Sequence, residues 1–100
     1  MNGSVQKVMD NSVTRQLVIS NKRGLHARAS AKFVQTVEVF DAVVEVEKDS
    51  QTVGGNSIMG LMMLAASQGS SITVTANGKD AEKVLDALQK LVEEKFGEES

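Results

Sequence analysis

The sequence predicts an α+β open-faced sandwich in which a four-stranded, mostly antiparallel sheet is covered on one face by three helices. Segments in which apolar side chains alternate every second residue interchange with segments of helical periodicity, in the order βαββαβα. Glycine and short polar residues separate these segments. The chain has 100 residues, which suffices for one two-layer domain.

The first strand and the first helix are joined by a turn that contains glycine. Thr14–Ser20 alternates through Leu17 and Ile19, which is typical of a strand with one buried face. Helical spacing begins at Ala27. The apolar stripe of this helix is expected to contain Ala27, Ala31, Val34 and Val37.

A hairpin and a second helix are predicted in the middle of the chain. Ala42–Glu47 alternates as a strand, and Thr52-Val53 is its short partner. Lys48-Asp49-Ser50 forms the tight turn between the two strands. Ser57–Gln68 is expected to be helical, and Gly69 to end that helix, because glycine is favoured just after a helix.

The last third of the chain contains the clearest helical pattern. Ser71–Ala76 alternates as a strand, Asn77-Gly78 turns the chain, and Asp80 is a suitable N-cap. Gly97 ends the helix that follows. The apolar positions of that helix are Ala81, Val84, Leu85, Leu88, Leu91, Val92 and Phe96. We therefore expect a flexible tail over residues 1–12, one domain over residues 13–97 and a C-terminal tail over residues 98–100.

Composition argues against several classes of function. The net charge is −2 and the cations are dispersed, so no nucleic-acid partner is expected. The absence of cysteine and the presence of a single histidine argue against disulfides, structural zinc and other metal sites, and no cofactor is expected. No apolar run approaches the roughly 20 residues that cross a bilayer, and residues 1–12 lack the apolar centre of a signal peptide. These features predict a cytoplasmic protein without membrane insertion.

The middle helix is apolar around most of its circumference. The side expected to be buried holds Leu61, Leu64 and Ala65. Ile58, Met59 and Met62 then lie near solvent, where flexible thioethers suit a surface that must fit several partners. The alternative is a helix buried throughout, without a docking role.

His26, the single histidine, stands in the run Gly24-Leu25-His26-Ala27-Arg28, where a strand gives way to a helix. A helix N-terminus offers unpaired amides and the positive end of the helix dipole, both of which favour a phosphate group. Imidazole can act as a covalent nucleophile, and Arg28 can make charge-assisted hydrogen bonds to phosphate. These features make phosphoryl chemistry a candidate role for His26. None of them alone is specific, and a histidine without chemistry stays the alternative.

Two motifs together resemble a known family. The run from Gly24 to Arg28 resembles the active-site signature of HPr, the histidine phosphocarrier of the bacterial phosphoenolpyruvate-dependent phosphotransferase system. The run Asn56-Ser57-Ile58-Met59-Gly60-Leu61-Met62 is similar to the family's second signature, and the likeness extends over residues 14–97. Asn21-Lys22 and Asn56-Ser57 favour the nitrogen-related branch. The chain departs from the family in having Ala29 where proline is common, and in a longer N-terminal extension.

The resemblance implies a monomeric phosphoryl carrier with an HPr-like fold rather than an enzyme. His26 would accept a phosphoryl group on Nδ1 from enzyme I and pass it to a histidine on EIIA-type proteins. Arg28 and the backbone amides of Ala27 and Arg28 would stabilise that group. Ser57 matches a serine that an HPr kinase/phosphorylase modifies in some members, and it also suits a helix N-cap.

The resemblance further implies that enzyme I and EIIA-type proteins dock in turn on Ile58, Met59 and Met62. A non-catalytic regulatory or effector-binding module of similar fold is the alternative from another class, because a fold does not settle a function. An enzyme that used His26 as a general base is disfavoured, since no carboxylate neighbours His26 in the sequence.

Overall fold

Strands and helices follow one another in the predicted order βαββαβα in the computed structural model, which describes residues 12–100. The strands are β1 (Ser12–Val18), β2 (Val43–Lys48), β3 (Gln51–Gly54) and β4 (Ser71–Asn77). The helices are α1 (Ala27–Glu38), α2 (Ile58–Met63) and α3 (Ala81–Glu93), and a 3-10 turn spans Lys95–Gly97. Within residues 12–100, no helix has the length and apolar character needed to cross a membrane. The tail expected over residues 1–12 lies outside the described residues apart from Ser12, which begins β1.

The sheet has the strand order β1-β4-β2-β3, and each neighbouring pair is antiparallel. Strand alternation directs one set of side chains into the core beneath the helices. The buried residues of this set are Leu17, Val44, Val46, Ile72, Val74 and Ala76. The opposite set includes Val43, which is exposed. The α+β open-faced sandwich predicted from the sequence is therefore confirmed.

The buried face of α1 differs from the predicted stripe. Val34 and Val37 are buried as expected, but Ala27 is exposed and Ala31 is only half-buried. The residues that pack against the core are Ala29, Ser30, Phe33, Val34 and Val37. The large aromatic surface of Phe33, which is fully buried, determines which side of the helix faces inward.

Helix α2 ends at Met63, five residues before the predicted end at Gln68. Ala65 adopts a left-handed backbone with φ 53°, which a helix cannot continue through. The apolar pattern nevertheless runs on to Ala66, because this residue is buried by the tertiary fold rather than by a helix. Gly69 instead forms part of the turn into β4, where its amide donates to the carbonyl of Ile19 (2.8 Å).

The last helix also ends earlier than predicted, at Glu93 rather than near Phe96. Lys95 and Phe96 both have left-handed backbones, with φ 58° and φ 56°, and Phe96 is fully buried. The carbonyl of Phe96 accepts a hydrogen bond from Nζ of Lys32 on α1 (2.7 Å). The chain therefore reverses after α3 and returns to α1.

The start of α3 differs from the prediction in one detail. Asp80 occupies the N-cap position, but its side chain makes no capping hydrogen bond to its own helix. Its Oδ2 accepts instead from the amide of Asp41 (2.9 Å), before β2. The carboxylate thus joins two loops rather than closing the helix end.

Candidate functional site

A glycine with a left-handed backbone fixes the turn before α1. Gly24 has φ +68°, and a Cβ atom at this position would lie 2.3 Å from the carbonyl oxygen of Ala66. That carbonyl accepts a hydrogen bond from the amide of Leu25 (2.9 Å). The side chain of Asn21, which is buried, donates from Nδ2 to the carbonyl of Gly24 (2.9 Å). The contacts with Ala66 and Asn21 therefore fix the backbone that leads to His26.

His26 is the N-cap residue of α1. Its backbone is extended, with φ −75° and ψ −177°, and its carbonyl accepts the helical hydrogen bond from the amide of Ser30 (2.8 Å). The imidazole makes no capping hydrogen bond. Helical geometry leaves the amides of Ala27, Arg28 and Ala29 without partners inside the helix. The imidazole thus lies at the positive end of the α1 dipole, beside donors that can receive an anion.

A carboxylate from the C-terminal segment contacts one nitrogen of the His26 ring. Nε2 of His26 lies 2.5 Å from Oε2 of Glu98, and the two side chains are only 16% and 19% exposed. Oε1 of Glu98 accepts a second hydrogen bond, from Nδ2 of Asn21 (3.0 Å). Within residues 12–100, the other ring nitrogen, Nδ1, has no hydrogen-bond partner. The ring is therefore oriented by Nε2 and leaves Nδ1 available.

The pKa of Glu98 is set by opposing effects. Burial raises this pKa, but the hydrogen bonds from Asn21 and His26 and the nearby charges of His26 and Arg23 together lower it below the usual value of 4.5. Glu98 is consequently a carboxylate at neutral pH. An ionised carboxylate can only accept hydrogen bonds, so Nε2 of His26 carries the proton between them.

Sequence reasoning missed Glu98 as part of this site. The residue is separated from His26 by 72 positions and was assigned to the C-terminal tail. One signal was present: Phe96, an apolar residue among charged neighbours, anchors the chain two positions earlier. Periodicity alone assigned Phe96 to the last helix, and so it did not reveal the reversal that brings Glu98 to the ring.

The other residues predicted to bind phosphate lie in the first turn of α1. Ala27 and Arg28 are exposed, and within the described part of the chain the Arg28 guanidinium has no ion pair. Ala29, which stands where the family commonly has proline, is fully buried. Unlike proline, Ala29 keeps its backbone N–H in this turn. The replacement therefore leaves the helix start intact and retains a donor there.

Ser57 begins α2 as its N-cap residue. Its Oγ accepts a hydrogen bond from the amide of Gly60 (2.9 Å), and its backbone is extended with φ −115° and ψ 107°. The N-cap expectation is therefore confirmed. The side chain is half-buried at the start of the apolar helix.

Four apolar side chains of α2 face solvent. The exposed fractions are 40% for Ile58, 70% for Met59, 40% for Met62 and 64% for Met63. The first three were expected, whereas Met63 was not. We call these four residues the α2 patch. Helix α2 packs against α1, so the patch lies on the element adjacent to the one that begins at His26.

The buried side of α2 agrees with the prediction at two positions of three. Leu61 and Leu64 are buried, but Ala65 is exposed and Ala66 is buried in its place. The left-handed backbone at Ala65 ends the helical spacing, which accounts for the shift by one position.

Comparison with known proteins gives a consistent result. The family model described as "PTS HPr component phosphorylation site" matches residues 13–94. The phosphocarrier protein HPr of Xylella fastidiosa is 44% identical over 85 residues, which cover 85% of this chain and 96% of that protein. The phosphocarrier protein NPr of Shewanella violacea is 41% identical over 86 residues, covering 86% and 94% of the two chains.

Solved structures agree with these sequence relatives. The crystal structure of HPr-C-His from Thermoanaerobacter tengcongensis matches with a TM-score of 0.84 and 46% identity, covering 88% of this chain and 99% of that one. The phosphocarrier protein HPr from Bacillus anthracis matches with a TM-score of 0.78 and 47% identity, covering 81% and 96%. The similarity therefore extends over nearly the whole length of each relative.

Proposed function

This chain belongs to the HPr family of phosphocarrier proteins of the phosphotransferase system, and on that premise we propose that His26 is its phosphoryl acceptor. Members of this family carry a phosphoryl group and are not enzymes. The proposed donor is phospho-enzyme I, and the proposed acceptors are EIIA-type proteins. The observation that carries the assignment is the position of His26 as the N-cap of α1, with Nε2 engaged and Nδ1 available.

The transfer needs an aligned nucleophile and neutralisation of charge. The lone pair of Nδ1 attacks phosphorus, and the bond between phosphorus and the donor histidine breaks with its electron pair returning to the donor nitrogen. The backbone amides of Ala27 and Arg28 and the Arg28 guanidinium are placed to bind the phosphoryl oxygens. Discharge to an EIIA-type histidine is the same step in reverse.

The α2 patch is the proposed docking surface for the donor and the acceptors. Its three methionines are flexible and polarisable, so one surface can fit partners of different shape. Its position on the helix next to α1 allows a partner to cover the patch and reach His26 together. We expect the chain to act as a monomer in the cytoplasm, where it meets each partner in turn.

Regulation at Ser57 is a second proposal, supported by the position of this residue at the edge of the α2 patch. A phosphate there would lie at a helix N-terminus, which favours it electrostatically. It would also place a charge of about −2 beside an apolar surface and so weaken docking. The enzyme that fits this step is an HPr kinase/phosphorylase. Assignment to the nitrogen-related branch stays a prediction, because relatives named HPr and NPr both match this chain.

The carrier role is tested by incubation of the purified chain with enzyme I and labelled phosphoenolpyruvate. We expect label that is labile in acid and stable in base, as a phosphohistidine is, and no label on His26→Ala. Arg28→Ala should accept label more slowly, whereas Lys79→Ala, which removes an exposed cation before α3, should match the wild type. Absence of label under conditions that charge a known HPr, or label that persists on His26→Ala, would contradict the proposal.

A further inference from the structure

We infer that Glu98 is a positioning residue for phosphoryl transfer, which holds the His26 ring through Nε2 and thereby presents Nδ1 to the phosphoryl donor. The inference rests on the proposed function of His26. It adds a residue outside both sequence motifs, contributed by the opposite end of the chain.

The contact belongs to a hydrogen-bonded network and is not an isolated surface pair. Nδ2 of Asn21, which is buried, donates both to the carbonyl of Gly24 and to Oε1 of Glu98. One amide group therefore joins the turn before His26 to the C-terminal segment. The second carboxylate oxygen of Glu98 contacts Nε2 of His26. Both oxygens of Glu98 are used, so its orientation is fixed from two sides.

The backbone around Glu98 is anchored as well. Phe96 is fully buried, and its carbonyl accepts from Nζ of Lys32 on α1 (2.7 Å). The amide of Glu98 donates to the carbonyl of Lys95 (2.9 Å). The reversal of the chain after α3 thus has a defined geometry, and it delivers the carboxylate to the imidazole.

The charge of Glu98 decides what the contact does to the ring. Neutral imidazole has one N–H and one nitrogen with a free lone pair. A carboxylate accepts and cannot donate, so the pair keeps the proton on Nε2 and the lone pair on Nδ1. Glu98, whose pKa lies below its usual 4.5, is ionised at neutral pH, so the arrangement holds there.

The same contact serves the phosphorylated state. When Nδ1 forms its bond to phosphorus, the ring keeps the Nε2 proton and becomes positively charged. The carboxylate of Glu98 stabilises that charge, as a carboxylate does beside an imidazolium in a catalytic triad. On discharge, the electron pair of the N–P bond returns to Nδ1. Glu98 neither gains nor loses a proton in either direction.

Two measurements on the full chain test this role, with Glu98→Ala and the control Glu99→Ala, which removes the neighbouring exposed carboxylate. In the nuclear magnetic resonance spectrum of the nitrogen-15-labelled chain, we expect the His26 Nε2 proton to exchange slowly in the wild type and in Glu99→Ala. In Glu98→Ala the signal should be lost to solvent exchange. The rate of phosphorylation by phospho-enzyme I should fall about tenfold in Glu98→Ala, the scale of losing a histidine-orienting partner. It should change less than twofold in the control.

The outcomes separate this inference from the carrier role. If Glu98→Ala keeps the wild-type rate, or if its rate falls while the Nε2 proton remains protected, Glu98 does not act by positioning the ring. If His26 of the wild type carries its proton on Nδ1, the inference is likewise wrong. If the wild-type chain accepts no phosphoryl group, the proposed function fails. The exchange measurement then still reports whether Glu98 holds the ring.

Discussion

Gly24 offers the most direct test of how the fold positions His26. The substitution Gly24→Ala adds one methyl group two residues before the imidazole. The new Cβ would lie 2.3 Å from the carbonyl oxygen of Ala66, far inside van der Waals contact. Because the obstacle is backbone rather than a flexible side chain, the turn before α1 and the segment after α2 must move apart.

The expected loss of stability has two parts. A left-handed backbone costs a residue with a Cβ atom about 1–2 kcal/mol, and Gly24 has φ +68°. Separation of the two segments also breaks the hydrogen bond from the amide of Leu25 to the carbonyl of Ala66, worth about 1 kcal/mol. We therefore expect Gly24→Ala to lower the free energy of unfolding by about 2–3 kcal/mol.

Urea denaturation measures this loss, and Gly69→Ala is the matched control. Gly69 also has a left-handed backbone, with φ +89°, but a Cβ atom there would meet nothing within 4 Å. The control should lose only the conformational part, about 1–2 kcal/mol. The difference between the two variants isolates the contact with Ala66. Equal losses in both variants would refute the argument that this close approach fixes the turn.

Three further predictions concern α2 and the C-terminal segment. Ser57→Ala should lower the free energy of unfolding by about 1 kcal/mol, because the Gly60 amide loses its hydrogen-bond acceptor. Urea denaturation measures this loss, and an unchanged stability would contradict the capping role. Met59→Asp should slow phosphoryl transfer to an EIIA-type protein with little change in stability. The control Val43→Asp, at an exposed position on the open face of the sheet, should leave the transfer rate unchanged. Equal effects of the two variants would argue against docking on the α2 patch. Because the pKa of Glu98 is lowered by folding, its ionised form stabilises the fold above its usual pKa of 4.5, and this contribution disappears as the pH falls through the lower folded value. The difference in urea midpoint between the wild type and Glu98→Ala should therefore shrink below pH 4.5, and a constant difference would contradict the linkage.

Local patterns predicted most of the architecture because each strand has one buried face. The alternation through Leu17 and Ile19 identified β1, and both residues are buried. The boundaries of α2 were less predictable, because Ala66 is apolar for a tertiary reason. It packs in the core after the helix has ended, and a pattern of apolar residues does not distinguish these two cases.

Part of the candidate site could likewise be predicted from local sequence, and part could not. Short motifs at the starts of two helices contain His26, Arg28 and Ser57. Because helix starts can be predicted from local sequence, the positions of these residues could be predicted as well. The exposed side of α2 was also predictable, since a two-layer domain can bury only one side of a helix. Met63 was missed because its exposure depends on where the helix ends.

The sequence by itself determined the order of strands and helices, the placement of His26 at a helix start and the family to which the motifs point. These features depend on neighbours within a few residues, for which spacing and residue type are sufficient. Only the tertiary structure decided that Glu98 meets the imidazole. That contact joins positions 72 residues apart, and it depends on the burial of Phe96 and the left-handed turn beside it, which only the packed core imposes.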